Sequence, residues 1–158
     1  MSLRVALAVL IAFALPSSAY AATTSTGSNG ATITIVQKSF TKNTKVLVTG
    51  KGFDETVGIY LAYCVVPKKG EVPTPCGGGV NKLGSGEASY WISSNPPPYG
   101  IGLAIPFTPG GRFKETVSIT RKIGSFDCRK VKCAITVRSD HLHEGDRSHD
   151  IFIPITIK

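Results

Sequence analysis

The carboxy-terminal run Ile151-Phe152-Ile153-Pro154-Ile155-Thr156-Ile157 places four isoleucines at every second position. Successive side chains of a strand point to opposite faces, so all four can face one core. The same period of two recurs in Thr32-Ile33-Thr34-Ile35-Val36 and Lys45-Val46-Leu47-Val48-Thr49. Val57 to Val66 reads as a longer, more buried strand, and Glu87 to Ile92, Gly102 to Ile105, Lys114 to Thr120 and Cys133 to Arg138 continue the series. No stretch offers a helical apolar stripe of any length. With 17 glycines and 10 prolines to break the chain, the pattern predicts an all-β antiparallel sandwich of seven or more short strands. Pro154 has no N–H to give to a ladder, which places the last strand at an edge or a bulge.

The four cysteines fall as two close pairs. Three connectivities are formally possible, but neighbours in sequence close the shortest loops at the lowest entropic cost, which predicts disulfides Cys64–Cys76 and Cys128–Cys133. Each should stabilise the fold by about 2–3 kcal/mol, mainly by restricting the unfolded chain. Such bridges belong to an oxidising compartment. The first residues agree: Arg4 and the amino terminus supply positive charge, Val5 to Leu15 is apolar, and Ala19-Tyr20-Ala21 offers small residues at both cleavage-determining positions. Residues 1–21 are therefore read as a signal peptide, residues 22–31 as a flexible Thr-, Ser- and Gly-rich leader, and residues 32–158 as one folded domain, secreted or attached to the cell surface. No later segment is apolar for long enough to span a membrane.

The chain carries a formal charge of +8, which loss of Arg4 with the signal lowers to +7. A basic surface favours anionic partners such as acidic polysaccharide, phospholipid, teichoic acid or nucleic acid, or it serves solubility alone. The densest basic group, Arg129-Lys130-Val131-Lys132, is too short and too poor in aromatic residues to make a nucleic-acid site.

Between Cys76 and Gly111 the rhythm breaks into a long Gly/Pro-rich excursion that includes Trp91 and then Ser94-Asn95-Pro96-Pro97-Pro98-Tyr99-Gly100. Successive prolines hold an extended, pre-ordered backbone. Two readings stand side by side: Trp91 packs inward and the prolines stiffen a connection, or Trp91 and Tyr99 form a rigid recognition surface that loses little entropy on binding.

The runs Lys45 to Phe53, Val57 to Cys64, Gly110 to Thr120, and Phe126-Asp127-Cys128 through Cys133 to Val137 resemble the neocarzinostatin-type secreted proteins of actinobacteria over most of the domain. The resemblance implies an immunoglobulin-like β-sandwich with a side cleft, which in the antibiotic members holds a small DNA-cleaving chromophore. Cys64 and Cys76 match the pair at the floor of that cleft, so the resemblance nominates Val65, Val66 and the opposing Trp91 or Phe107 for its lining, and the recognition-surface reading adds Tyr99 to the ligand-binding candidates. The run Trp91 to Gly100, with Arg138-Ser139-Asp140-His141 and Asp146 to Asp150, is similar to a non-chromoprotein, cell-envelope branch, some of whose members accompany haem-transport-associated domains. That likeness implies an accessory in metal or haem acquisition as an alternative.

All three histidines, His141, His143 and His149, lie in one segment with Asp140, Glu144, Asp146 and Asp150. In an extended strand His141 and His143 share a face and could hold one divalent metal ion with His149, or a single histidine could ligate haem. The other reading is an exposed loop of turn hydrogen bonds and surface ion pairs. No cofactor is called for outright. Catalytic patterns fail: His143-Glu144 lacks a second zinc-protease ligand in helical register, no Gly-x-Ser-x-Gly elbow exists, and paired cysteines leave no thiol nucleophile. The sequence thus predicts a non-enzymatic binding protein, foremost a carrier of a small hydrophobic ligand. Its alternatives are a surface-interaction or haem/metal-acquisition module, and an antibiotic apoprotein.

Overall fold

Alternation of buried and exposed positions organises two packed sheets in the computed structural model, which describes residues 21–41, 43–79 and 89–158. Strands are numbered in chain order. One sheet joins β1 (Thr23–Thr26), β2 (Thr32–Ile35), β4 (Thr44–Lys51) and β8 (Phe113–Ile119), all antiparallel. The other runs β3 (Ser39–Phe40), β12 (Ile151–Ile157), β11 (Cys133–Ser139), β5 (Ile59–Val65) and β6 (Cys76–Gly77), with β7 (Ser89–Ile92) also paired to β5. A small hairpin of β9 (Lys122–Ile123) and β10 (Phe126–Asp127) precedes β11. The expected disulfides Cys64–Cys76 and Cys128–Cys133 are both formed.

The inner faces supply the core. Ile33 and Ile35, Val46 and Val48, and Val117 and Ile119 from the first sheet meet Ile59, Leu61 and Tyr63, Ile135 and Val137, and Ile151, Ile153 and Ile155 from the second. Each fully buried Ile or Leu stabilises the fold by about 1.5–3 kcal/mol relative to exposure. Ile157 is only partly buried and packs on the core margin. Pro154 sits where β12 is bonded on one side: Ala134 of β11 lies opposite it, and β3 reaches only Thr156 and Ile157. The missing N–H therefore costs no ladder bond on the open side.

Three expectations need correction. Thr23–Thr26, expected within a flexible leader, forms β1 and pairs with β2 from Thr23↔Ile35 to Thr26↔Thr32. Its threonines are good strand formers once β2 offers an edge, and the tight Gly27-to-Gly30 turn closes the hairpin with Gly27 N–H donating to Ala31 O at 2.8 Å. Gly102 to Ala104 belong to a turn rather than a strand, because Leu103 and Ala104 both donate to Gly100 O at 2.9 Å, while Ile105 forms an isolated parallel bridge to Ile92. The long strand expected over residues 57–66 is confined to Ile59–Val65. Residues 1–20 of the expected signal peptide (1–21) and the expected strand start at Glu87 lie outside the described residues.

Candidate functional site

Register builds an aromatic cluster at one end of the larger sheet. On the outer face of β5, Tyr60 stands opposite Trp91 of β7 on one side and Arg138 of β11 on the other. The Arg138 guanidinium lies 5.0 Å from the Tyr60 ring centroid, a cation–π contact. Two loops then converge on this row. After β7 the proline run enters a single 3-10 turn, Pro98–Gly100, with proline at its start where no N–H is needed. After β11, Asp140 caps a second such turn, His141–His143, by accepting from Leu142 N–H at 3.0 Å.

Asp140 ties the two loops together. It has no solvent exposure, and its carboxylate accepts from the Trp91 indole N–H at 2.9 Å and from Leu142 N–H, with His143 Nδ1 at 3.4 Å. Its own N–H donates to Gly58 O at 2.9 Å. Gly58 has to be glycine here, since a Cβ would coincide with the carboxylate. A buried carboxylate needs such partners to offset its desolvation.

His141 bridges two phenols. Its Nδ1 is 2.6 Å from the Tyr60 hydroxyl and its Nε2 2.7 Å from the Tyr99 hydroxyl. A neutral imidazole has one N–H and one lone pair, so one tyrosine accepts while the other donates. Tyr99 stacks on Trp91 at 6.2 Å and 27°, and His141 meets the indole edge-on at 5.0 Å. Burial, followed by the charge of Asp140, pushes the Tyr60 phenol above its ordinary range. The outcome is a pre-set surface: Trp91 is 5% exposed beneath, while Tyr99 at 61%, Ile101 at 74%, Leu103 at 48% and Leu142 at 49% face solvent.

The ligand-binding candidates do not all meet. Trp91 and Tyr99 belong to this cluster. Phe107 is buried in the core and stacks on Phe53 at 6.0 Å. Val65 and Val66 lie at the far end of β5, where their N–H groups donate to Pro75 O at 3.0 Å and Lys132 O at 2.9 Å. Between the two ends, outward-facing Ala62, Ala134 and Thr136 are almost without solvent contact.

The three histidines diverge as well. His141 has both nitrogens on tyrosines, His143 leans on Asp140, and His149 is buried with Nδ1 near Ser139 Oγ (3.2 Å), Ser148 Oγ (3.1 Å) and Asp146 Oδ2 (3.0 Å). Among the described residues no group of three or more His, Cys, Asp or Glu stands close enough to hold a metal ion. Haem ligation by His141 would require release of one tyrosine. Tyr60 was missed as a site residue, although an aromatic side chain on the outer face of an otherwise buried strand was a readable signal.

No protein-family model matches the chain, and no curated protein does. Among solved structures macromomycin superposes with a TM-score of 0.51 at 14% sequence identity, over 81% of this chain and 99% of that one. The protein has the neocarzinostatin-like β-sandwich fold. Among the described residues no helix is long and apolar enough to cross a membrane.

Proposed function

We propose that this protein is an exported, non-enzymatic binding protein that carries a small hydrophobic ligand on the aromatic end of its sandwich. The observation that supports this reading is the exposure of Tyr99, Ile101 and Leu103 at 61, 74 and 48% on one short loop that Trp91 and Asp140 hold in place. Apolar side chains fixed in advance bind with little ordering cost, because the loop pays no further entropy. The macromomycin-like fold adds support at the level of architecture. Two disulfides fit an oxidising location outside the cytoplasm.

The test is titration of the mature protein with planar apolar probes, read by emission of Trp91, the single tryptophan. Saturable change that Tyr99→Ala abolishes supports carriage. No change with any probe, together with a bare mass in native spectrometry of protein from culture medium, removes it.

A second reading is favoured by the openness of the same loop: Ile101 at 74% exposure would suit a macromolecular face of the cell envelope as well as a small molecule. Here Ile101→Asp should release the protein from cell-wall fractions while leaving small-probe binding at Tyr99 measurable. Retention unchanged by Ile101→Asp counts against an envelope partner.

A further inference from the structure

The outer face of the smaller sheet carries a groove of about 630 Å³ whose lining includes Thr32, Thr34, Thr49, Lys51, Arg112 and Lys114. Pairing brings these side chains together. Thr34 lies opposite Thr49, Thr32 opposite Lys51, and Thr49 opposite Lys114. Lys51 and Lys114 are thus diagonal neighbours across two strands, with backbones about 7–8 Å apart. Arg112 follows from the turn before β8, where Thr108 and Arg112 exchange backbone hydrogen bonds at 2.8 and 3.0 Å. Ile105 and Pro106 form a low apolar wall. The three cations are exposed, and none is in a salt bridge with a described residue. Among the described residues Glu115 is the lone carboxylate of the lining.

We infer that this groove docks a carboxylated glycan, with the sugar carboxylates on Lys51, Arg112 and Lys114 and sugar hydroxyls on the threonine rows. Three cations against one carboxylate give the face a charge complementary to such a chain. The threonine hydroxyls both donate and accept, as sugar hydroxyls require. Nucleic acid fits less well, because the aromatic residue of the lining, Phe113, is turned into the core and offers no platform for a base. The site lies on the opposite sheet from Tyr99 and does not depend on the ligand-carrier reading.

The experiment compares binding of the mature, disulfide-intact protein to oligogalacturonate, to its neutral methyl ester and to polyphosphate, as a function of salt. Lys51→Gln with Lys114→Gln is set beside Lys130→Gln with Lys132→Gln, which removes the same charge elsewhere. The expected result is oligogalacturonate binding that the first pair weakens about tenfold, with a shallower salt dependence, and that the second pair leaves nearly unchanged. Loss of binding to the neutral ester completes it. Equal losses from both pairs would show general charge attraction and overturn the inference, as would binding of polyphosphate without oligogalacturonate, or of neither. Small-probe binding at Tyr99 should be the same in both double-lysine variants, so the two sites fail or stand separately.

Discussion

The indole N–H of Trp91 donates to the fully buried carboxylate of Asp140 across 2.9 Å, joining the loop after β7 to the loop after β11. Their separation of 49 residues makes this bond a clasp between chain segments. Removing either end leaves an unequal remainder. Trp91→Phe strips one donor from a buried carboxylate and should cost about 2 kcal/mol, whereas Asp140→Ala frees Trp91, Leu142 and His143 at once and should cost about 3 kcal/mol. Urea unfolding at neutral pH checks both. Near-zero losses would mean that water satisfies these groups.

Tyr63 presents the opposite case. It is fully buried in the core, and its hydroxyl has no hydrogen-bond partner among the described residues. Burial pushes the phenol up to about 12. For a group whose pKa is higher in the fold, the stability linked to its neutral form is complete below the unfolded value of 10.0 and is lost as pH rises through about 12. Tyr63→Phe should therefore stabilise the protein by about 1 kcal/mol at pH 7 and reduce the loss of stability between pH 10 and 12. Unfolding midpoints at the two ends of that window decide the matter.

Acid should act through Asp146. Hydrogen bonds from Ser148, led by its backbone N–H at 2.7 Å, and from His149 hold this carboxyl down to about 2 from 3.8. A depressed carboxyl contributes stability above its unfolded value and loses it as pH falls towards the folded one. Stability should thus decline between about pH 4 and pH 2, and Asp146→Asn should flatten that decline while slightly weakening the fold at neutral pH. Thermal scans at pH 7, 4 and 2.5 would show it; an unchanged slope in the variant would assign the decline to other groups.

Burial that follows strand alternation could be read ahead of the structure, as Ile151, Ile153 and Ile155 show. So could both disulfides, because their loops are local. The Thr23–Thr26 strand was hidden because its inward positions, Thr23 and Ser25, are not apolar, and pairing with β2 alone reveals them. Gly102 to Ile105 misled in the reverse sense: Leu103 and Ile105 alternate like a strand, yet Leu103 is exposed and the backbone folds onto Gly100 O. At the site, Trp91 and Tyr99 were legible as an aromatic pair on a proline scaffold. The Tyr60–His141 and Tyr99–His141 bonds span 81 and 42 residues, and no local pattern encodes partners so distant. The clustering of histidines in sequence misrepresented their geometry for the same reason, since each turn residue of that segment points to a different partner.

Gly100 allows the site to be disturbed without the fold. It is buried against the Trp91 ring, and a Cβ there would run into the indole and Pro96. Gly100→Ala must lift the 3-10 turn away from Trp91, because the indole is held from below by Asp140 and by the pairing of Trp91 with Tyr60. Tyr99 then loses its stacking and its hydroxyl leaves His141. The turn packs on the outer face of the sheet, through Trp91 of β7, so stability should fall by no more than about 1–2 kcal/mol, within the range of a local overpacking change. Trp91 emission should move to longer wavelength as water reaches the ring, and small-probe affinity should fall at least tenfold. If affinity falls while emission and hydrogen exchange of the core stay unchanged, Tyr99 is the contact that matters; if affinity survives a visible displacement of the loop, the ligand is held elsewhere on the sandwich.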